Sequence, residues 1–167
     1  KKRVTPKTRA MLINSPMNPT GVVFSSEVMT ALAELDIPVI SDEIYADLSF
    51  EDPPCSFLSY SPQTVAIHGF SKSYAMTGWR LGYMITPLEW MSAADRLHQN
   101  LMISTTEFVQ EAGISVLRKS AAYCESMKTE FNRRRLFVLE RMRELGMDLG
   151  YTPTGAFYVL YKYRDSG

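Results

Sequence analysis

The chain has 167 residues with 18 basic and 18 acidic side chains, so its formal charge is zero. That length is one ordinary domain, and the charge balance excludes nucleic acid or an anionic membrane as the main partner. No apolar run reaches the ~20 residues of a bilayer span, and the basic start Lys1-Lys2-Arg3 has no apolar signal core behind it.

Ala10 to Asn14 is a short apolar run ahead of Pro16 and predicts a buried strand. Ser25 or Ser26 then caps a predicted helix through Asp36, with Val28, Leu32 and Leu35 on one face. Pro38 to Ser41 reads as a second strand that ends in two carboxylates, Asp42 and Glu43. The stretch from Pro53-Pro54 through Pro62 is a loop, Thr64 to Phe70 a third strand, and Leu81 to Thr86 a fourth. Pro87 starts a helix to about Leu101, and a further apolar-patterned segment covers Glu107 to Leu117. Ala121 to Leu145 is the longest predicted helix, ~37 Å if unbroken, with Cys124, Met127, Phe131, Val138, Met142 and Leu145 as its apolar stripe. Gly146 ends it, and Gly155 to Leu160 reads as a following strand.

Strands alternating with helices predict an α/β sheet, in which ligands sit beyond the carboxyl ends of the parallel strands. Asn18, Asp42 and Lys72 each follow such a strand by a few residues, which predicts one shared site. Cys55 and Cys124 are isolated and lack metal-ligand spacing. Two free thiols in a reducing compartment, hence a cytoplasmic chain, is the favoured reading over a single disulfide. The ten methionines read as fillers of core gaps.

Four motifs carry the chemistry. Asn14-Ser15-Pro16-Met17-Asn18-Pro19-Thr20-Gly21 is by itself a turn signal. Asp42-Glu43-Ile44-Tyr45 closes the second strand, and Ser71-Lys72 follows the third. Arg80 stands eight residues after Lys72 within Gly78-Trp79-Arg80-Leu81-Gly82-Tyr83. A lone lysine is ordinarily surface solubility. A lysine in a desolvated pocket beside a second cation, here Arg80, is kept partly unprotonated and attacks carbonyl carbons. Asp42 alone reads as a loop carboxylate after a strand, and Gly78 and Gly82 alone as strand or turn glycines. Glu43 reads as structural, His68 as a hydrogen-bonded core residue, and Arg133-Arg134-Arg135 as a solvated helix face.

In this order and at these spacings the motifs resemble those of the class I/II aminotransferases of the fold-type I pyridoxal-phosphate family. The resemblance covers nearly all of the chain and weakens after Leu145, where Pro153-Thr154-Gly155-Ala156-Phe157-Tyr158 is similar to the start of the family's small-domain sheet. It implies a three-layer α/β sandwich with a mostly parallel sheet. Residues 1–120 would be the C-terminal part of the large, cofactor-binding domain, and 121–167 a long interdomain helix and the start of a small α+β domain. It further implies pyridoxal 5′-phosphate as cofactor, an L-amino acid and a 2-oxo acid as substrates, a ping-pong route, no metal, and a homodimer with sites at its interface.

Residue roles follow from the same resemblance. Lys72 forms the Schiff base and then moves the proton between substrate and cofactor. Asp42 pairs with the pyridine nitrogen and keeps the ring an electron sink. Tyr45 and Asn18 donate to the cofactor O3′, while Ser71 and Arg80 bind its phosphate.

The chain also departs from the pattern. Family members run to well over twice this length, which implies that a phosphate-cradling glycine loop, an aromatic ring over the pyridine and a carboxylate-gripping arginine lie outside residues 1–167. Gly69 stands where many relatives carry a phosphate-binding serine, and the stretch from Asn18 to Asp42 is about one helical turn short, which predicts a shortened helix and an intact strand. Two further readings keep the same residues: a carbon–sulfur β-lyase on the same fold and cofactor, and a non-catalytic, association-prone piece of such an enzyme.

Overall fold

A computed structural model describes residues 3–51 and 55–162. Pro53 and Pro54 of the predicted loop lie outside the described residues. Four strands form one mixed sheet: β1 (Met11–Asn14), β2 (Val39–Asp42), β3 (Thr64–Gly69) and β4 (Gly82–Ile85), in the order β1-β2-β3-β4. The first three run parallel and β4 is antiparallel to β3. Register sets Asn14 beside Asp42 and Asp42 beside Ile67, so the carboxyl ends of β1, β2 and β3 lie at one level. β4 starts with Gly82 beside Gly69, at that same end, and runs back away from it.

Helix α1 (Ser26–Ala33) starts where Ser25 Oγ accepts from the amide of Val28. It is shorter than the predicted span to Asp36, because Asp36 adopts a left-handed conformation, φ 51°, that no helix continues through. Its inward residue is Met29 rather than Val28, which lies in solvent. Met29 closes the main core with Ile13, Val39 and Phe57, against Phe24, Leu32 and Tyr60. Strand β2, packed between two neighbours, buries Val39 and Ser41, whereas edge strand β1 leaves Leu12 72% exposed.

Three helices follow: α2 (Leu88–Met102), α3 (Glu107–Lys119) and α4 (Ala121–Glu144). α3 docks through Gly113, where an added Cβ would lie 2.6 Å from Leu81 Cδ2 and 3.4 Å from Phe70 Cζ. Of the apolar stripe predicted on α4, Phe131 packs on a second core cluster of Tyr45, Leu48 and Ala156, while Val138 and Leu145 stay exposed. No helix among the described residues is long and apolar enough to cross a membrane. Cys55 and Cys124 are unpaired.

The predicted strand from Gly155 to Leu160 is not one. Among the described residues its only ladder contact is an isolated bridge from Gly155 to Ser49. The backbone is diverted instead: Thr154 and Gly155 amides both donate to Gly21 O at 2.8 Å, Ala156 donates to Leu48 O at 2.9 Å, and Ala156 itself is left-handed. Donors spent on two different loops leave no regular edge for a neighbouring strand.

Candidate active site

At the end of β1, Asn14 does two things at once. Its Nδ2 donates to Asp42 O at 3.0 Å, and its Oδ1 accepts from the Asn18 amide at 2.7 Å. One side chain thus ties the loop after β1 to the end of β2. Asn18 itself is exposed.

β2 ends at Asp42, half-buried, whose Oδ1 accepts from the Ile44 amide at 3.2 Å and turns the chain. That turn delivers Tyr45 into the second core cluster as the residue preceding a 3-10 turn over Ala46–Leu48. The phenol meets Phe157 and Tyr158 edge-on, at centroid distances of 5.5 and 5.6 Å, and its hydroxyl lies 2.8 Å from that of Tyr158. Burial and the Tyr158 hydroxyl, with Asp42 adding its negative charge, push the Tyr45 pKa well above the ordinary phenol value; the Asn18 amide, approaching as a donor, pulls weakly the other way. Tyr45 is therefore a neutral hydrogen-bond donor across the physiological range.

Beyond β3 the chain turns sharply, with the amides of Ala75 and Met76 donating back to Lys72 O and Phe70 O. Lys72 is half-buried, and its Nζ lies 5.5 Å from the Tyr45 ring centroid and 5.8 Å from that of Phe157. No carboxylate pairs with it among the described residues. Ser71 and Arg80 share one chain of bonds: Thr77 Oγ1 donates to Ser71 O, and Arg80 Nη1 donates to Thr77 O, both at 2.9 Å. Arg80 is exposed and left-handed at φ 52°, closing a 3-10 turn over Thr77–Trp79.

Lys72 therefore lies beside the Tyr45 ring, and Asn18 and Asp42 act on the same phenol electrostatically. Ser71 and Arg80 lie on the adjoining loop and touch none of those four side chains among the described contacts. A cavity of about 900 Å³ between the end of α4 and residues 146–152 includes none of the six, so volume alone does not locate this chemistry. Sequence reasoning missed Asn14, Phe157 and Tyr158. Asn14 stood in a quoted motif without a role; Tyr158 is 113 residues from Tyr45 and carried no local signal of the contact.

Glu43 points away from this cluster into the protein. Its Oε1 accepts from Ser41 Oγ, Ser56 Oγ and the Phe57 amide, at 2.8, 3.0 and 2.9 Å. His68 Nε2 lies 2.9 Å from Oε2, and the imidazole stacks on Tyr83. Both residues are structural here, as their sequence context predicted. Arg133 and Arg134 are solvated and pair with Glu130, but Arg135 departs from the predicted solvated face, with bonds to Pro153 O and Glu51.

A family model described as aminotransferase class I and II matches residues 1–166. The aspartate aminotransferase of Pyrococcus abyssi is 36% identical over 100% of this chain, which covers 45% of that protein. The (5-formylfuran-3-yl)methyl phosphate transaminase of Methanocaldococcus jannaschii is 40% identical over 96% of this chain and 44% of its own length. Among solved structures, the aspartate aminotransferase of Thermotoga maritima superimposes with a TM-score of 0.90 at 36% identity, covering 98% of this chain and 44% of that one. The chain spans less than half the length of these relatives.

Proposed function

The chain belongs to the class I and II aminotransferases, and from that membership we propose that it forms the lysine-bearing part of a pyridoxal-phosphate site that moves an amino group between an L-amino acid and a 2-oxo acid. The observation that carries the reading is the approach of Lys72 Nζ to Tyr45, 5.5 Å from its ring, with Asp42 and Asn18 facing the same phenol. An unpaired amine, a carboxylate, a neutral phenol and an amide are the donor set that a phenolic pyridine aldehyde requires. When bound, the cofactor supplies an electron sink for the bond broken at the substrate Cα.

The chain's own residues do the rest. Lys72 would hold the cofactor through its carbonyl carbon and, once freed by substrate, would accept and return a proton at Cα. Asp42 would hold a proton on the ring nitrogen. Tyr45 and Asn18 would donate to the ring oxygen, and Ser71 and Arg80 would bind the phosphate. The relatives named above are transaminases by name, which favours transfer over elimination.

The reading extends to architecture. Residues 1–120 belong to the large domain of a three-layer sandwich, and 121–167 carry α4 into a small domain. Two copies pair about the site in a reducing, cytoplasmic compartment, where two unpaired cysteines stay thiols.

The test is borohydride reduction of the chain with pyridoxal phosphate, followed by mass spectrometry. A single adduct at Lys72, absent from Lys72→Ala, is the expected result. Labelling scattered over surface lysines would overturn the reading.

A further inference from the structure

Among the described residues, Tyr158 makes the one side-chain hydrogen bond to the Tyr45 hydroxyl, at 2.8 Å. Its position is fixed from three sides. Thr154 and Gly155 bind Gly21 O, Ala156 binds Leu48 O, and Arg135 Nη1 donates to Pro153 O at 2.7 Å. The ring packs at 4.9 Å from Phe157 and 5.6 Å from Tyr45. Tyr158 is thus aimed at the phenol by a rigid segment.

Proton bookkeeping then decides the direction of the bond. A phenol has one proton to donate and lone pairs to accept with. If Tyr45 donates outward to the ring oxygen of the cofactor, it has no proton left for Tyr158, and Tyr158 must donate to it. A phenol that accepts such a bond is polarised and donates more strongly in turn. We infer that Tyr158 is a positioning residue: it donates to the Tyr45 oxygen, fixes the Tyr45 proton toward the cofactor side, and strengthens the bond made there. The inference rests on the cofactor reading above. Besides Tyr158, the titratable groups facing Tyr45 among the described residues are Asp42 from β2 and Lys72 from the loop after β3.

The experiment compares the chain with Tyr158→Phe, Tyr45→Phe and the double variant, each loaded with pyridoxal phosphate, by following the visible band of the lysine-bound cofactor against pH. Tyr158→Phe keeps both ring contacts, and an unchanged thermal melt checks that it folds. A weaker bond to the ring oxygen disfavours its phenolate, so the midpoint should rise by about half a pH unit. Tyr45→Phe should raise it further, and the double variant should match Tyr45→Phe, because Tyr158 acts only through Tyr45. An unmoved midpoint in Tyr158→Phe, or fully additive shifts in the double variant, would overturn the inference while leaving the cofactor reading intact. No band in any variant, with no adduct at Lys72, would overturn both.

Discussion

Glu43 and His68 meet in a partly buried contact, with Nε2 2.9 Å from Oε2 of a carboxylate only 3% exposed. Burial by itself raises the carboxyl pKa, but bonds from His68, the Phe57 amide, Ser41 and Ser56 together outweigh it and leave the value below the ordinary one. A lowered folded value means the carboxylate stabilises the fold above its unfolded pKa and loses that contribution as pH falls through the folded pKa. Glu43→Gln should therefore cost about 1–3 kcal/mol at pH 7, measured by urea unfolding. The gap to the parent chain should shrink below pH 4.5. An equal gap at pH 7 and in acid would contradict this account.

Gly21 sits at φ 70°, and an added Cβ would lie 2.7 Å from Pro153 Cβ and from Tyr158 O. Gly146 has the same φ but open space around it. Gly146→Ala should cost only the left-handed strain, about 1–2 kcal/mol. Gly21→Ala should cost roughly 1–3 kcal/mol more through the clash, and should free residues 153–158 to proteolysis. Similar unfolding midpoints for the two variants would show that 153–158 gives way without cost.

Asp42 holds its turn through one oxygen and carries its charge on the whole carboxylate. Asp42→Asn keeps an oxygen for the Ile44 amide, so stability should change little, whereas Asp42→Ala should lose about 1 kcal/mol. If Asp42 has the role proposed for it, both variants should lose amino transfer in the intact enzyme. Full activity in Asp42→Asn would remove Asp42 from the proposed chemistry.

Three consecutive arginines should respond differently to alanine. Arg133 and Arg134 are solvated partners of Glu130, so alanine at either should leave the melt nearly unchanged. The Arg135 side chain, 10% exposed, binds Pro153 O, Glu51 and Asn132 and lies over Phe50. Arg135→Ala should cost about 2 kcal/mol or more, and because it anchors the Tyr158 segment it should also loosen the Tyr45 contact. Thermal melts of the three single variants decide it; equal small losses would mean that Arg135 is as solvated as its neighbours.

Much of this was legible along the chain. The four strands, the helix caps and the order of the Asn18, Asp42 and Lys72 motifs are local features, written in runs of apolar residues, prolines and capping serines that act within a few positions. The parallel register then had little freedom, since strands joined by crossovers bring their carboxyl ends to one side. What no local pattern carried was the segment 153–158. Gly155 to Leu160 read as a strand, but the carbonyls of Gly21 and Leu48, far away in sequence, took the donors at its start. The contact of Tyr158 with Tyr45 and the burial of Arg135 follow from that docking. Sequence alone determined the elements and the chemical groups offered at their ends, because those depend on neighbours in the chain. Only the tertiary structure decided which distant group reaches the phenol, because hydrogen bonds are settled by distance in space and carry no trace in spacing along the chain.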